Sequence, residues 1–244
     1  GWAAPGEKIT VTFAGQKHTA TAGKDGAWRV KLQPLKANAK GQTLTIQGSN
    51  KLELIDVLVG EVWVCSGQSN MAWSVDRSYD PDLESLTAKF PNIRLISVPP
   101  VGTQEPQKDF NGEWVATSPE SVMSFSAVGF FFGRTLHQAI NVPVGLIDNA
   151  WGGSAAEAWV RRDLLNKLPA AAPYMATWKQ TEANYDHQKT MTTYETRLKK
   201  WQTAAAAARK AGKPAPQRPR NPRNPLTGQH LSLIHISEPT RPLH

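Results

Sequence analysis

The sequence is poor in cysteine and has no long apolar run. Its single cysteine, Cys65, excludes a disulfide framework and zinc fingers built on cysteine pairs. No apolar stretch approaches the roughly 18 residues that a membrane-spanning helix needs, so no membrane span is predicted. No glycine-rich nucleotide motif and no His/Asp/Glu cluster with metal-ligand spacing occurs, so the sequence indicates neither a cofactor nor a metal.

The net positive charge belongs to one segment. The chain has 28 Lys and Arg against 20 Asp and Glu, which gives +8. Nine of the basic residues and no acidic residue lie in 197–223, so the remainder is near neutral. We interpret this segment as a solvated face and linker, with an anion or nucleic-acid surface as the alternative. No aromatic residue lies within 210–225, so no nucleic-acid partner is predicted.

The two ends of the sequence look cut. Gly1 is not an initiator methionine, and no signal peptide follows it. Residues 231–241 resemble a translated sequencing adapter, so we interpret 231–244 as an artefact; a natural tail with a short apolar patch is the alternative. We therefore expect 1–230 to be an internal fragment of a longer protein.

Residues 1–56 are typical of short antiparallel strands. Apolar and polar residues alternate in four segments separated by glycine-containing turns. The segments are 9–13, 17–21, 28–32 and 43–47. This spacing predicts part of a β-sandwich domain.

Residues 57–230 are typical of an α/β domain. The apolar run 57–65 predicts a strand buried on both faces, and 93–98 and 142–148 predict two more strands. Between the last two, residues 126–140 have helical spacing, with Ser126 or Ser124 as the cap. Strand, helix and strand in this order predict a parallel sheet. The apolar face of that helix is predicted to consist of Val128, Phe131, Phe132, Leu136 and Ile140.

The second half of the chain is mainly helical in pattern. A short helix is predicted over 159–168, followed by a long polar helical insert over about 173–211. The Gly-Lys-Pro-Ala-Pro stretch that begins at Gly212 ends this insert.

The stretch 60–71 contains the strongest candidate for chemistry. An apolar strand runs into Ser-Gly-Gln-Ser-Asn, at the carboxyl end where α/β sheets present ligand groups. Gly67 permits a tight turn, and Ser69 after it fits a nucleophile at a helix N-terminus. The alternative is an ordinary strand-to-helix turn with Ser69 or Asn70 as cap.

A second glycine-rich stretch, 149–154, follows the strand that ends near Asp148. Gly152 and Gly153 allow a backbone N–H to approach a ligand closely. The alternative is a simple loop in which Ser154 caps a helix over 155–165. Because both stretches end neighbouring strands, we expect them at the same end of the sheet.

Four segments are distinctive in their order and spacing: 60–71, 125–134, 143–147 and 151–159. The most specific parts are the Gly-Gln-Ser-Asn-Met and Trp-Gly-Gly-Ser strings. Together these segments resemble the sialate O-acetylesterase family of the SGNH/GDSL hydrolases. The resemblance covers about 1–230. It implies a flavodoxin-like three-layer α/β/α core, incomplete here, and metal-independent serine esterase chemistry on O-acetylated sugars. It also implies a location outside the cytoplasm, such as the periplasm, and indicates no oligomeric state.

The resemblance assigns roles to named residues. Ser69 corresponds to the nucleophile, and the N–H groups of Ser69 and Gly153 to the oxyanion donors. Gln68 and Asn70 shape the loop, and Gly152 supports it. Two aromatic residues beside these stretches could stack on a sugar or simply pack: Trp73 and Trp151.

The family's catalytic base is not found in this sequence. The family has a Gly-Glu-Ser-Asn-type loop and an Asp-x-x-His pair downstream, and no histidine here follows an Asp at that spacing. We interpret the histidines at 18, 137 and 187 as structural or surface residues, and Cys65 as a buried hydrophobe. The chain alone is therefore predicted to be a very poor esterase. The alternative is a non-catalytic carbohydrate-binding protein.

Overall fold

The computed structural model describes residues 1–103, 107 and 109–227, and the adapter-like segment 231–244 lies outside them. The described chain forms two compact units. Unit 1 consists of 1–100 and 109–152, and unit 2 of 101–103, 107 and 153–227. The predicted domain limits, with a boundary after residue 56, remain predictions.

Unit 1 begins with a four-stranded antiparallel sheet in the order β2-β1-β3-β4. Alternation in β1 places Ile9 and Val11 on one buried face. The strands are β1 (Lys8–Phe13), β2 (Gln16–Thr21), β3 (Asn38–Gln47) and β4 (Lys51–Val59).

The segment 28–32, predicted as a strand, is not one. It forms no strand ladder, but Trp28 and Val30 pack against the cluster around Ile9 and Val11. The alternation of apolar and polar residues in 28–32 arises because every second side chain packs against the sheet. An extended segment can pack in this way without pairing to another strand. The described residues of this region form a single sheet, so the β-sandwich remains a prediction.

The apolar run 57–65 is divided between two sheets at Gly60. Strand β4 ends at Val59, and β5 (Glu61–Gly67) begins the second sheet. A Cβ atom at Gly60 would lie 2.0 Å from the carbonyl oxygen of Pro143. That oxygen accepts the N–H of Glu61 at 2.9 Å. The chain therefore crosses between the sheets at a position where no side chain fits.

The second sheet has the order β5-β8-β6-β7. Strands β5, β8 and β6 are parallel, and β7 is antiparallel to β6. The parallel α/β sheet predicted from the sequence is confirmed. The added elements are β6 (Phe90–Ser97), β7 (Val115–Thr117) and β8 (Val144–Ala150).

The prediction that β5 is buried on both faces is wrong. Val62, Trp63 and Val64 are 43%, 43% and 46% exposed. Among the described residues, β5 pairs only with β8 in this sheet and forms its edge. An edge strand with the composition of a central strand leaves apolar side chains in contact with water.

Three helices accompany this sheet: α1 (Pro81–Thr87), α2 (Pro119–Val122) and α3 (Ala127–Ile140). The oxygen of the Ser126 side chain accepts the N–H of Gly129 at 3.0 Å, so the predicted cap of α3 is confirmed. Helix α3 packs on β8 and β6. The predicted three-layer arrangement remains a prediction.

The predicted apolar face of α3 is only partly correct. Val128 and Phe132 are 47% and 41% exposed, whereas Gly129, Phe130 and Gly133 are buried. A Cβ at Gly133 would lie 2.6 Å from Leu146 Cδ1 of β8. The helix therefore approaches the sheet through glycines, which hydrophobic periodicity does not count.

Unit 2 is helical and has its own small core. The insert predicted as one helix over 173–211 consists of two helices, α5 (Ala172–Asn184) and α6 (His187–Lys210). Asp186 caps α6, because its side chain accepts the N–H of Lys189 at 2.9 Å. The core contains Leu165, Met175 and Trp178. The helices are α4 (Arg162–Leu165), α5 (Ala172–Asn184) and α6 (His187–Lys210), so the helix predicted over 159–168 is shorter. No described helix has the length and apolar character to cross a membrane.

Candidate active site

The two motif loops meet at the carboxyl ends of β5 and β8. The strands are in parallel register, with Gly67 opposite Ala150. Beyond that pair, the N–H of Trp151 donates to the carbonyl oxygen of Gly67 at 3.0 Å. The prediction that both stretches lie at the same end of the sheet is confirmed for the residues of unit 1.

The Ser69 loop, residues 67–72, is a single closed turn. Gly67 has φ +149°, which disfavours a side chain, and the N–H of Ala72 donates to the Gln68 carbonyl at 2.9 Å. Gln68, Ser69 and Asn70 are exposed. The prediction that Ser69 lies at the N-terminus of a helix is wrong, because residues 68–72 form a turn. The alternative is wrong as well, since neither Ser69 nor Asn70 is a helix cap. The next helical element is the 3₁₀ turn Val75–Arg77, whose N-cap residue, Ser74, makes no capping hydrogen bond through its side chain.

Gly152 lies directly against Ser69. A Cβ at position 152 would be 3.6 Å from Ser69 Cα and 3.8 Å from Ser69 Oγ. A glycine here leaves the hydroxyl open on that side, where a larger side chain would fill the space. Neighbouring parallel strands place the two stretches at the same end of the sheet, and the approach of Gly152 to Ser69 brings them into direct contact.

The rest of the second motif lies in unit 2. Gly153 is exposed with φ +79°. Ser154 is buried, and its Oγ accepts the indole N–H of Trp159 at 2.9 Å. The following 3₁₀ helix, Ala156–Trp159, has Ala155 as its N-cap. The alternative in which Ser154 caps this helix is therefore wrong.

The two tryptophans beside the loops have different surroundings. Trp73 is about half exposed, and its indole N–H donates to the Arg77 carbonyl at 2.7 Å. Trp151 is partly buried. Stacking of either ring on a sugar remains a prediction.

The segment after the loop is attached to the start of α3. The carbonyl of Trp73 accepts the N–H of Ala127 at 2.8 Å, and the N–H of Val75 donates to the Phe125 carbonyl at 3.0 Å. Ser126 Oγ lies 3.4 Å from the sulfur of Met71, as a weak hydrogen bond. The Ser69 loop is thus followed directly by a segment that is hydrogen bonded to the N-terminal end of α3.

Two titratable side chains lie beneath the loop, Cys65 and Asp148. They occupy opposite positions on β5 and β8. Burial, and secondarily the charge of Asp148, raises the pKa of Cys65 to about 11, so it is a neutral thiol. Its predicted role as a buried hydrophobe is confirmed. Burial raises the pKa of Asp148 to about 6.

Sequence reasoning missed Asp148, counting it only as the last residue of a predicted strand. A carboxyl within an apolar strand, one residue before a glycine-rich motif, is the signal that identifies it.

The three described histidines have partners away from Ser69. His18 Nε2 lies 3.1 Å from Gln16 Oε1, His137 Nδ1 2.6 Å from the Val142 carbonyl oxygen, and His187 Nδ1 3.0 Å from the Tyr185 hydroxyl. Within the described chain, no group of three or more His, Cys, Asp or Glu residues could hold a metal ion. None of these three hydrogen bonds involves Ser69.

Comparison with known proteins gives consistent matches. The sequence model of a family described as carbohydrate esterase, sialic acid-specific acetylesterase, matches residues 59–211. The sialate O-acetylesterase of Homo sapiens is 34% identical over an alignment of 178 residues, and the match covers 65% of this chain and 34% of that protein. The Rattus norvegicus protein of the same name is 33% identical over an alignment of 184 residues, and the match covers 68% of this chain and 34% of that protein.

A solved structure gives the same result. The crystal structure of a carbohydrate acetylesterase from Xanthomonas citri has a TM-score of 0.62 and 37% identity, covering 65% of this chain and 37% of that one. The chain thus spans about a third of the length of the relatives it matches.

Proposed function

Because the chain belongs to the sialic acid-specific acetylesterase family of carbohydrate esterases, we propose that it carries the nucleophile of a serine esterase that removes O-acetyl groups from carbohydrates. The observation that supports this most is the exposed Ser69 placed against Gly152, where two parallel strands end. On the basis of the same family membership, we also propose that the parallel sheet belongs to a three-layer α/β/α core.

In the proposed reaction, Ser69 Oγ attacks the acetyl carbonyl carbon and a base takes its proton. The carbonyl oxygen becomes an oxyanion, for which the backbone N–H groups of Ser69 and Gly153 are the proposed donors. The tetrahedral intermediate expels the sugar oxygen, which takes up a proton, and leaves an acetyl-serine. Water then attacks this ester, releasing acetate and free Ser69.

The rate of this reaction depends on whether a base is available to take the proton from Ser69. General-base assistance contributes about 10²–10⁴-fold, and residues of a triad act as a unit. With the described histidines bonded elsewhere, we expect the 244-residue chain to turn over acetyl esters very slowly. Clear turnover without an added base, lost in Ser69→Ala, would contradict this expectation.

The nucleophile can be tested by covalent labelling. A fluorophosphonate probe is added to the 244-residue chain with imidazole as an external base, and the adduct is mapped by mass spectrometry. We expect an imidazole-dependent adduct on Ser69 in the unsubstituted chain, and total labelling at least about 100-fold lower in Ser69→Ala. The matched control is Ser66→Ala, an exposed serine on the adjoining strand, which should label normally.

Absence of an adduct at any imidazole concentration would overturn the proposal. If the chain then still binds O-acetylated glycans, and Ser69→Ala binds them equally, the carbohydrate-binding alternative takes its place. The half-exposed ring of Trp73 is the feature that favours this alternative.

A further inference from the structure

We propose that the basic segment 197–223 of unit 2, centred on Arg218, is a docking surface for an acidic polysaccharide, a polymer that carries carboxylate or sulfate groups. The segment consists of the C-terminal part of α6 and the chain that follows it, with nine Lys and Arg residues and no Asp or Glu. The inference rests on the proposed function in taking a carbohydrate as the partner. It does not depend on the chemistry of Ser69.

The chain after α6 turns back and lies against the helix. Gly212, with φ +66°, has the left-handed conformation that commonly ends helices, and the N–H of Lys213 donates to the Ala208 carbonyl at 2.9 Å. Farther along, the indole N–H of Trp201 donates to the Pro216 carbonyl at 2.7 Å. The helix and the chain that returns along it therefore form one surface.

Arg218 is held on this surface by an aromatic ring. The central carbon of its guanidinium group lies 5.6 Å from the centroid of the Trp201 ring. Within the described chain, this guanidinium has no hydrogen-bond acceptor. Its N–H groups are thus available to a carboxylate or sulfate, whose paired oxygens match the guanidinium fork. Arg197, four residues before Trp201, adds a second guanidinium on the same side of α6.

The nine basic side chains are exposed to solvent. Among the residues that the structure describes, none of the nine takes part in an ion pair, whereas Arg161 and Arg162 of the same unit pair with Asp163 and Glu182. Unpaired like charges repel one another, and an anionic partner removes that repulsion. The nine are Arg197, Lys199, Lys200, Arg209, Lys210, Lys213, Arg218, Arg220 and Arg223.

The features of the segment favour a polysaccharide over other polyanions. The chain belongs to a family of carbohydrate esterases. Trp201 is the only aromatic residue in 197–223, and its ring and indole N–H already have partners, so the bases of a single strand have no free ring on which to stack. No large apolar side chain of this described segment is exposed, as a helix lying in a membrane surface requires. Residues 197–210 span about 20 Å along α6, which suits a polymer better than a single sugar.

The test measures binding of labelled polymers to the 244-residue chain by fluorescence anisotropy at several NaCl concentrations. Polygalacturonate supplies carboxylates, heparin supplies sulfates, and dextran is the neutral control. We expect both acidic polymers to bind and dextran not to bind. Single- and double-stranded DNA of equal total charge should bind at least about 3-fold more weakly than polygalacturonate, because stacking adds nothing to its electrostatic binding. Tighter binding of DNA would assign the surface to a nucleic acid and overturn the proposal.

Two triple variants separate the segment from the overall charge of the chain. Three Lys→Gln substitutions in α6 should weaken binding of polygalacturonate at least about 10-fold and reduce its dependence on salt. Three Lys→Gln substitutions at exposed positions of unit 1 should change the affinity by less than about 2-fold. Equal losses in the two variants would refute a localised surface. The substitutions are Lys199→Gln, Lys200→Gln and Lys210→Gln in α6, and Lys17→Gln, Lys24→Gln and Lys31→Gln in the control.

A substitution that keeps the charge tests the centre of the surface. Arg218→Lys retains a cation but loses the guanidinium fork, so we expect polygalacturonate to bind at least about 3-fold more weakly. Arg223→Lys is the matched control, because Arg223 is exposed and has no ring contact in the described structure, and it should bind normally. Unchanged binding by Arg218→Lys would contradict the proposal. Circular dichroism establishes that the variants are folded, and if the α6 triple variant is not, the comparison of Arg218→Lys with Arg223→Lys decides.

The nucleophile variant distinguishes this inference from the proposed function. We expect Ser69→Ala to bind polygalacturonate as tightly as the unsubstituted chain, because Ser69 lies outside the segment. If no chain is labelled by fluorophosphonate at Ser69 but the α6 variant loses binding, the esterase proposal fails and the docking surface stands. Labelling at Ser69 without binding of either acidic polymer would reject the docking surface and leave the esterase proposal intact.

Discussion

Strands β5 and β8 lie side by side, are both apolar, and both end in a motif loop, yet their environments differ. β8 lies between β5 and β6, and its Val144 and Leu146 are almost completely buried. β5 is paired on one side only, and its Val62 and Val64 are more than 40% exposed. Position within the sheet therefore determines what an apolar residue contributes, because burial depends on neighbours that composition does not specify.

The largest expected difference between the strands is in core truncation. Leu146→Ala should lower the free energy of unfolding by about 2–5 kcal/mol, because it leaves a cavity under α3. Val64→Ala should lower it by less than about 1 kcal/mol, since Val64 is 46% exposed. Urea denaturation of both variants measures this. Equal losses would show that β5 is buried in solution by contacts that the described residues lack.

The elements that the sequence predicted correctly are those whose signals are local. The α3 cap depends on Ser126 and an amide three residues later, and strand alternation in β1 depends on side chains two apart. Adjacency of the two motif loops also followed, because parallel strands place their carboxyl ends together.

The features that the sequence did not predict depend on distant residues. The exposed face of α3 follows from the close approach of Gly133 to Leu146, which only the folded sheet creates. The division of the apolar run at Gly60 follows from the Pro143 carbonyl, more than eighty positions later in the chain. The raised pKa of Asp148 likewise follows from burial, which exists only in the folded sheet.

The next largest effect concerns the one acid within β8. Asp148 has a folded pKa of about 6, raised from 3.8 by burial, so the folded state binds the proton more tightly. Its contribution to stability is therefore greatest below about pH 4 and falls by up to about 3 kcal/mol as pH rises to about 6. Asp148→Asn lacks this titration.

We therefore expect the difference in unfolding free energy, Asp148→Asn minus the unsubstituted chain, to increase between pH 4 and pH 7. Urea denaturation across this range measures it, and taking the difference cancels the other acids. Cys65 on β5, with its pKa of about 11, should add no change below about pH 9. Parallel curves for the two chains would mean that Asp148 is as well solvated folded as unfolded.

The smallest effect tests what secures the exposed side of β5. Trp63 packs edge-on against Phe132 of α3, with ring centroids 5.0 Å apart, although both rings are more than 40% exposed. Such aromatic pairs contribute about 0.5–1.5 kcal/mol to stability beyond the burial of their surface. Because both rings are exposed, we expect a value at the lower end of this range. A double-mutant cycle with Trp63→Leu and Phe132→Leu should give a coupling energy of about 0.5 kcal/mol. Coupling indistinguishable from zero would mean that the ring geometry adds nothing, leaving β5 held by its ladder to β8 and by Cys65 under α3.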